Sequence, residues 1–207
     1  MENFKIRKPE GVTEVVKASF MSEMIRSFLA FDINSEQVLQ RFEETQVKLT
    51  QTGADLKLVA PHNIHITMRF LGDITPSMAD KVHEAMKQVV FSAFDCNIHG
   101  LGVFPDLRYP RVVWAGIKKG ADELRSVIGQ LEPNLISLGF RPDNKGFSPH
   151  LTLARVRSSR NKAELATCIT ELADYDFGVV HADCFRLKKS VLTPKGPSYS
   201  TLKEVCH

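Results

Sequence analysis

The sequence predicts a single α+β domain folded as two similar lobes around a cleft. Three observations carry that prediction. Strand-like alternation and helix-like spacing take turns along the chain, no low-complexity linker interrupts them, and two distant strands share a His-x-Thr pattern with a helix close behind each. The third is a loose internal duplication, whose two histidines are too far apart in the chain to meet except across a cleft. Composition fits: 207 residues with 43% hydrophobic and 25% charged side chains argue against disordered, collagen-like and mucin-like chains.

Residues 1–23 mix Lys5, Arg7, Lys8 and Lys17 with Glu2, Glu10, Glu14 and Glu23 and show no period. They are expected to be an N-terminal extension (an expression remnant, a misassigned start or a native arm) ahead of one domain over residues 24–207. Residues 25–32 form the first convincing strand. Ser35 is an N-cap for a helix that sets Val38, Leu39, Phe42, Val47 and Leu49 on or near one face and ends before Gly53. Residues 56–60 and 63–71 are extended, and Pro76 opens a helix through Met78, Val82, Met86 and Val89. Residues 94–104 and 112–117 are strands by their β-branched and aromatic content, separated by the turn-rich stretch 105–110. Spacing at Leu124, Val127, Ile128 and Leu131 predicts a helix over 121–138, which Pro133 should kink or restart near Glu132. The pattern then starts over. A strand is expected over 146–156, a helix over 161–173, one or two strands over 177–192, and a last strand over 199–205 beyond the 194–197 turn.

With 27 Lys+Arg against 24 Asp+Glu the formal charge is +3 and the pI near 8.7, too small an excess to predict nucleic-acid binding by bulk electrostatics. Recognition of RNA or phosphate must therefore be local. No apolar run approaches the roughly 18 residues of a membrane helix, and no signal-peptide core opens the chain, so a cytoplasmic protein without membrane contact is expected. Cys96, Cys168, Cys184 and Cys206 form no C-x-x-C pair and are expected to be free thiols.

The chemistry concentrates in two strands, around His65-Ile-Thr67 and His150-Leu-Thr152. Period-2 alternation sets His65 and Thr67 on one face and Ile64, Ile66, Met68 and Phe70 on the other, and the same rule separates His150 and Thr152 from Leu151 and Leu153. An imidazole and a hydroxyl about 6.6 Å apart along a strand can flank one tetrahedral anion, and two copies make a symmetric clamp. Cleaving a phosphodiester needs one group to deprotonate a nucleophile and another to protonate the leaving oxygen, and imidazole does both near neutral pH. Threonine hydroxyls can donate to the non-bridging oxygens.

A metal site through His62-x-x-His65 is disfavoured, because an offset of three puts the two rings on opposite faces of a strand. His83, His99, His181 and His207 lack partners at ligand spacing, and no P-loop or nucleophile elbow is present, so a cofactor-free, metal-free mechanism is expected. Strict alternation puts Arg69 on the face of His65 and Thr67. It turns Arg155 away from His150, so Arg155 serves the site only if the strand ends or bulges near Ala154. Arg108, Arg111, Lys145 and Arg157 are candidates for a shallow cationic rim, and Tyr109, Trp114 and Phe147 for base stacking.

Several segments together resemble the RNA 2′,3′-cyclic phosphodiesterases, historically called 2′-5′ RNA ligases (ThpR or LigT), of the 2H phosphoesterase superfamily. They are the opening strand 25–32, the stretch 59–72 around His65, the stretch 102–116, Pro149-His-Leu-Thr-Leu-Ala-Arg155, and the ending 192–199. The resemblance covers roughly residues 24 to 205. It implies a pseudo-twofold, two-lobed fold with antiparallel sheets lining a central cleft and helices outside. It further implies His65 as proton donor to the leaving 3′ oxygen, His150 as the base that activates water, and Thr67, Thr152 and Arg155 as phosphate ligands. The partner implied is RNA with a 2′,3′-cyclic phosphate end, or a small cyclic nucleotide, handled by a monomer. The alternatives are 2′-5′ ligation through the same groups in reverse and an RNA-end binding module without turnover.

Overall fold

The computed structural model describes residues 23–143, 146–194 and 196–206. The expected N-terminal extension, apart from Glu23, and the rim candidate Lys145 lie outside the described residues.

Local sequence chemistry sets the elements. Strand β1 (Ile25–Asp32) leads to α1 (Glu36–Gln51), whose N-cap Ser35 accepts a hydrogen bond from the Val38 backbone N–H at 3.4 Å. After β2 (Leu56–Leu58), a 3-10 turn at Pro61–Asn63 precedes β3 (His65–Ile74). Thr75 caps α2 (Pro76–Lys87), with Pro76 at the position where a missing N–H is harmless. Then come β4 (Phe94–Phe104), β5 (Val112–Lys119), α3 (Ala121–Ser137), β6 (His150–Val156), α4 (Lys162–Glu171), β7 (Asp176–Ala182), β8 (Cys184–Thr193) and β9 (Gly196–Cys206).

Three expectations about elements need correction, the first being the strand foreseen over 146–156, which begins only at His150. Pro133 does not break α3, which runs through it. A proline ring crowds the carbonyl four residues back, here that of Gly129, a local cost that the buried stripe of Leu124, Val127, Leu131 and Leu135 offsets. The second expected extended segment starts only at His65, because Pro61, with its fixed φ, nucleates the 3-10 turn.

All strands pair antiparallel, in the order β7-β4-β5-β6-β3-β1-β8-β9, with β2 on β6. The two expected sheets are thus one nine-stranded sheet, whose halves are joined by the β3–β6 ladder, where Ile66 pairs with Leu151. Helices α2 and α3 pack on the β3, β8 and β9 side, while α1 and α4 pack on β4, β6 and β7. Their apolar stripes meet the inward strand residues: Val38, Phe42 and Leu49 of α1, with Phe42 and Phe177 at 5.1 Å, and Leu124, Val127, Leu131 and Leu135 of α3 are buried. The opposite sheet face forms the cleft. No described helix is long and apolar enough to cross a membrane.

The cysteines are not all free. Cys184 and Cys206 face each other in the β8–β9 ladder and form a disulfide, whereas Cys96 and Cys168 are thiols. A hairpin register, not sequence spacing, brings the pair together, so a search for C-x-x-C could not find it.

Candidate active site

The join between the halves is the site. Because Ile66 pairs with Leu151 in antiparallel register, His65 comes opposite Thr152 and Thr67 opposite His150. Four polar side chains therefore form a square on the cleft face, around a pair of apolar residues that point the other way and are fully buried. The two histidines and two threonines singled out in the sequence are brought together.

Each histidine is oriented the same way. His65 Nδ1 lies 2.7 Å from the Asn63 carbonyl and His150 Nδ1 lies 2.7 Å from the Ser148 carbonyl. A carbonyl only accepts, so each Nδ1 carries the hydrogen, and each Nε2 is left with its lone pair. Aromatic walls hold the rings: Phe28 and Tyr199 lie 4.8 and 5.2 Å from His65, and Phe104 and Trp114 lie 5.0 and 6.4 Å from His150. Trp114 fits only because Gly102, across the ladder, has no Cβ; one there would stand 2.2 Å from the indole. The Trp114 Nε1 is buried without a hydrogen-bond partner.

Beside His65, Asp32 and Lys188 form an ion pair at 2.6 and 2.8 Å, with Arg186 at 3.6 Å from the same carboxylate. Burial dominates the electrostatics of His65 and pushes its pKa down to about 4, partly opposed by the Asn63 carbonyl and by Asp32, and aided by Lys188 and His150. Burial also raises the Tyr199 phenol, against the pull of Arg155 and Arg26.

The arginines part company at two β-bulges. In β3, Leu29 pairs with Arg69 but Ala30 with Thr67, so Met68 is an extra residue. In β6, Val113 pairs with Ala154 but Trp114 with Thr152, so Leu153 is extra. Each bulge falls one residue past a threonine and reverses the alternation beyond it. Arg155 accordingly shares the face of His150 and Thr152, opposite Val112. Arg69 leaves the face of His65, contrary to strict alternation. It donates to Glu132 of α3 at 3.0 and 3.3 Å and to the Arg141 carbonyl, with Asp143 at 3.8 Å. It is a structural ion pair on the helix side.

Other candidates sit elsewhere. His62 is on the 3-10 turn, His83 meets the Glu204 carbonyl, His99 meets Asp174 and His181 meets Asp95. Tyr109 stands exposed under Lys162 and Phe147 packs on the core. Among the described residues, the one group of three with ligand-compatible spacing is Cys184, Glu204 and Cys206, whose two sulfurs are bonded to each other. A cavity of about 760 Å³ lies not over the histidines but behind Trp114, against α4 and the loop through Arg108.

A family model described as the AKAP7 2′5′ RNA ligase-like domain matches residues 27–206. A protein of Aeropyrum pernix named RNA 2′,3′-cyclic phosphodiesterase is 39% identical over 165 residues, which cover 80% of this chain and 94% of that protein. The chain belongs to the ThpR/LigT family of 2H phosphoesterases. Its Methanothermobacter thermautotrophicus member of the same name is 33% identical, covering 86% of this chain and 97% of its own. The fold of the family is equally plain: a crystal structure of a Thermus thermophilus protein matches with a TM-score of 0.72 at 26% identity, covering 88% and 97% of the two chains. The structure of E. coli LigT complexed with 3′-AMP matches with a TM-score of 0.74 at 22% identity over 89% and 98%.

Alternation from His65 puts Phe70 on the core face, but the bulge at Met68 turns it to the cleft of this ThpR/LigT chain, which Phe28, Asp32, Lys188 and Tyr199 also line. Asp32 alone left a usable mark, a carboxylate ending an apolar strand; the others come to the cleft through pairing registers between distant strands.

Proposed function

We propose that the protein is a metal-independent RNA 2′,3′-cyclic phosphodiesterase that opens the cyclic ester to a 2′-phosphomonoester. The observation that carries this is the square of His65, Thr67, His150 and Thr152, with both imidazoles in one tautomer. A phosphate centred there has a nitrogen base on each side. One imidazole takes the proton of an attacking water as its oxygen bonds to phosphorus; the other, protonated, gives its proton to O3′ as the P–O3′ bond breaks. Thr67, Thr152 and Arg155 donate to the non-bridging oxygens, whose charge grows in the transition state. Residues 24–207 serve as one catalytic unit, and a monomer suffices because one chain supplies both histidines.

The family resemblance makes His65 the donor and His150 the base. The depressed pKa of His65 favours the reverse in the empty cleft, since a ring that is neutral above about pH 4 is ready to accept a proton. A cyclic ester with sulfur in place of O3′ separates the two, because a thiolate departs without needing a proton. On that substrate the alanine variant of the donor histidine should recover turnover, and the alanine variant of the base should not.

The primary test is incubation of an oligoribonucleotide ending in a 2′,3′-cyclic phosphate with the protein in excess EDTA. A 2′-phosphate end is expected, and His65→Ala or His150→Ala should each slow its formation by at least about a hundredfold. An unchanged end, or near-wild-type turnover in either variant, overturns the reading.

A further inference from the structure

Every lysine and arginine on the strands of the His65 half, β3, β1, β8 and β9, is spent on a carboxylate, with one exception. Arg69 is held by Glu132, Arg186 by Glu204 at 3.1 Å, Lys188 by Asp32, Lys189 by Glu23 at 3.4 Å and Lys203 by Asp80 at 2.8 Å. The exception is Arg26 of β1. Among the described residues its side chain has no ion pair or hydrogen bond, although Asp73 stands opposite it in the β1–β3 ladder. Alternation along β1 fixes its direction: Ser27 and Leu29 turn to the core, Phe28 lies against His65 on the cleft face, and Arg26 shares that face, exposed. Tyr199, whose ring is 5.2 Å from that of His65, has its phenol drawn toward ionisation by Arg155 from one half of the sheet and by Arg26 from the other. A guanidinium without a counter-ion on the wall of a phosphate site is a charge left for a ligand that extends beyond that phosphate.

We propose that Arg26 is a second phosphate site, which takes the phosphodiester joining the terminal nucleotide to the rest of the RNA while the cyclic phosphate occupies the histidine–threonine square. This rests on the phosphodiesterase reading and deepens it, because it makes the end of an RNA chain, not a cyclic mononucleotide, the preferred substrate. A cyclic mononucleotide carries one phosphate and leaves Arg26 idle. A chain end carries a second phosphate one nucleoside away on the 5′ side, and the two non-bridging oxygens of that diester suit the forked guanidinium. The spacing agrees. Ala30 pairs with Thr67 at the square, and Arg26 stands four residues farther along β1, about 13 Å of strand. An arginine side chain leaning back along the strand covers part of that span, and the nucleoside covers the rest. With a net charge of only +3, preference for RNA has to come from local contacts of this kind.

The test compares wild type with Arg26→Ala and Arg26→Lys on adenosine 2′,3′-cyclic phosphate and on the adenylyl-adenosine dinucleotide that ends in the same cyclic phosphate. Arg26→Ala should raise KM for the dinucleotide roughly tenfold, the low end for a hydrogen bond between charged groups. KM for the mononucleotide should stay at the wild-type value, and lysine should recover part of the dinucleotide loss. A dinucleotide with an uncharged methylphosphonate link should meet wild type as weakly as the natural link meets Arg26→Ala. A KM that rises equally for both cyclic substrates, or for neither, overturns the proposal, as does a methylphosphonate link that costs wild type nothing. Calorimetric binding of adenosine 2′-phosphate and of adenosine 2′,5′-bisphosphate, whose 5′ phosphate stands in for the diester, keeps the two readings apart. If wild type leaves both cyclic esters intact but Arg26→Ala weakens the bisphosphate about tenfold more than the monophosphate, the second site stands and the phosphodiesterase reading falls. Equal weakening of the two ligands overturns the site. Because Arg26 is exposed and unpaired, thermal unfolding of the variants should match wild type, which checks that the fold is intact.

Discussion

Arg69 and Arg155 carry the same charge and flank matching motifs, yet their surroundings assign them opposite work. Arg69 is spent on Glu132 across the helix side, so Arg69→Ala should leave kcat/KM near wild type and lower stability by about 1–3 kcal/mol through the carboxylate it strands. Arg155→Ala should do the reverse, reducing kcat/KM by roughly tenfold or more with an unchanged denaturant midpoint, as expected for one charge-assisted phosphate contact. Steady-state kinetics and urea unfolding of the two variants decide it. A second residue-scale prediction concerns His65. Its pKa is about 4 in the fold against about 6.5 in an unfolded chain, so between those values the unfolded state holds more protons. Stability is therefore full above pH 6.5 and falls as the pH is lowered toward 4, by on the order of 3 kcal/mol. In His65→Gln, unfolding free energies measured across that window should lose this share of the slope. The histidines were legible from alternation alone. The arginines were half legible: the bulge that Arg155 required is there, but Met68 and Leu153 are ordinary strand residues, and nothing in their chemistry announces a doubled position.

At the scale of elements, local rules settled most boundaries. Ser35, Thr75 and Pro76 start helices where capping chemistry says they should, and the strand expected over residues 25–32 is β1. What local rules missed was pairing: the bulges just past the two threonines depend on partner strands distant in sequence. The fit of β4 to β5 gives a test of such pairing. In Gly102→Ala the new Cβ would stand 2.2 Å from the Trp114 ring, so the ring must move. Overpacking of this kind typically destabilises by about 1–3 kcal/mol. Because the chain has one tryptophan, its fluorescence reports the displacement directly. A shifted emission maximum together with a lower unfolding midpoint is the expected result; an unaltered spectrum would mean that Trp114 does not lie on Gly102.

The whole molecule is held by two kinds of long-range tie that the sequence left unread. One is the Cys184–Cys206 disulfide, which closes a loop of 22 residues around the hairpin that carries Tyr199 into the cleft. Reduction should lower stability by about 3 kcal/mol, the usual effect for a loop near this length, and urea unfolding with and without a phosphine reductant measures it. Equal midpoints in the two conditions would show that the cysteines are not bonded in solution. The other tie is the pairing of Ile66 with Leu151, through which the halves of the sheet are joined. That pair lies between the histidine and the threonine of both motifs, so the molecule is riveted at the point where it grips. A slip in that one register would part the two motifs altogether, so the pairing that closes the sheet also decides whether the site exists.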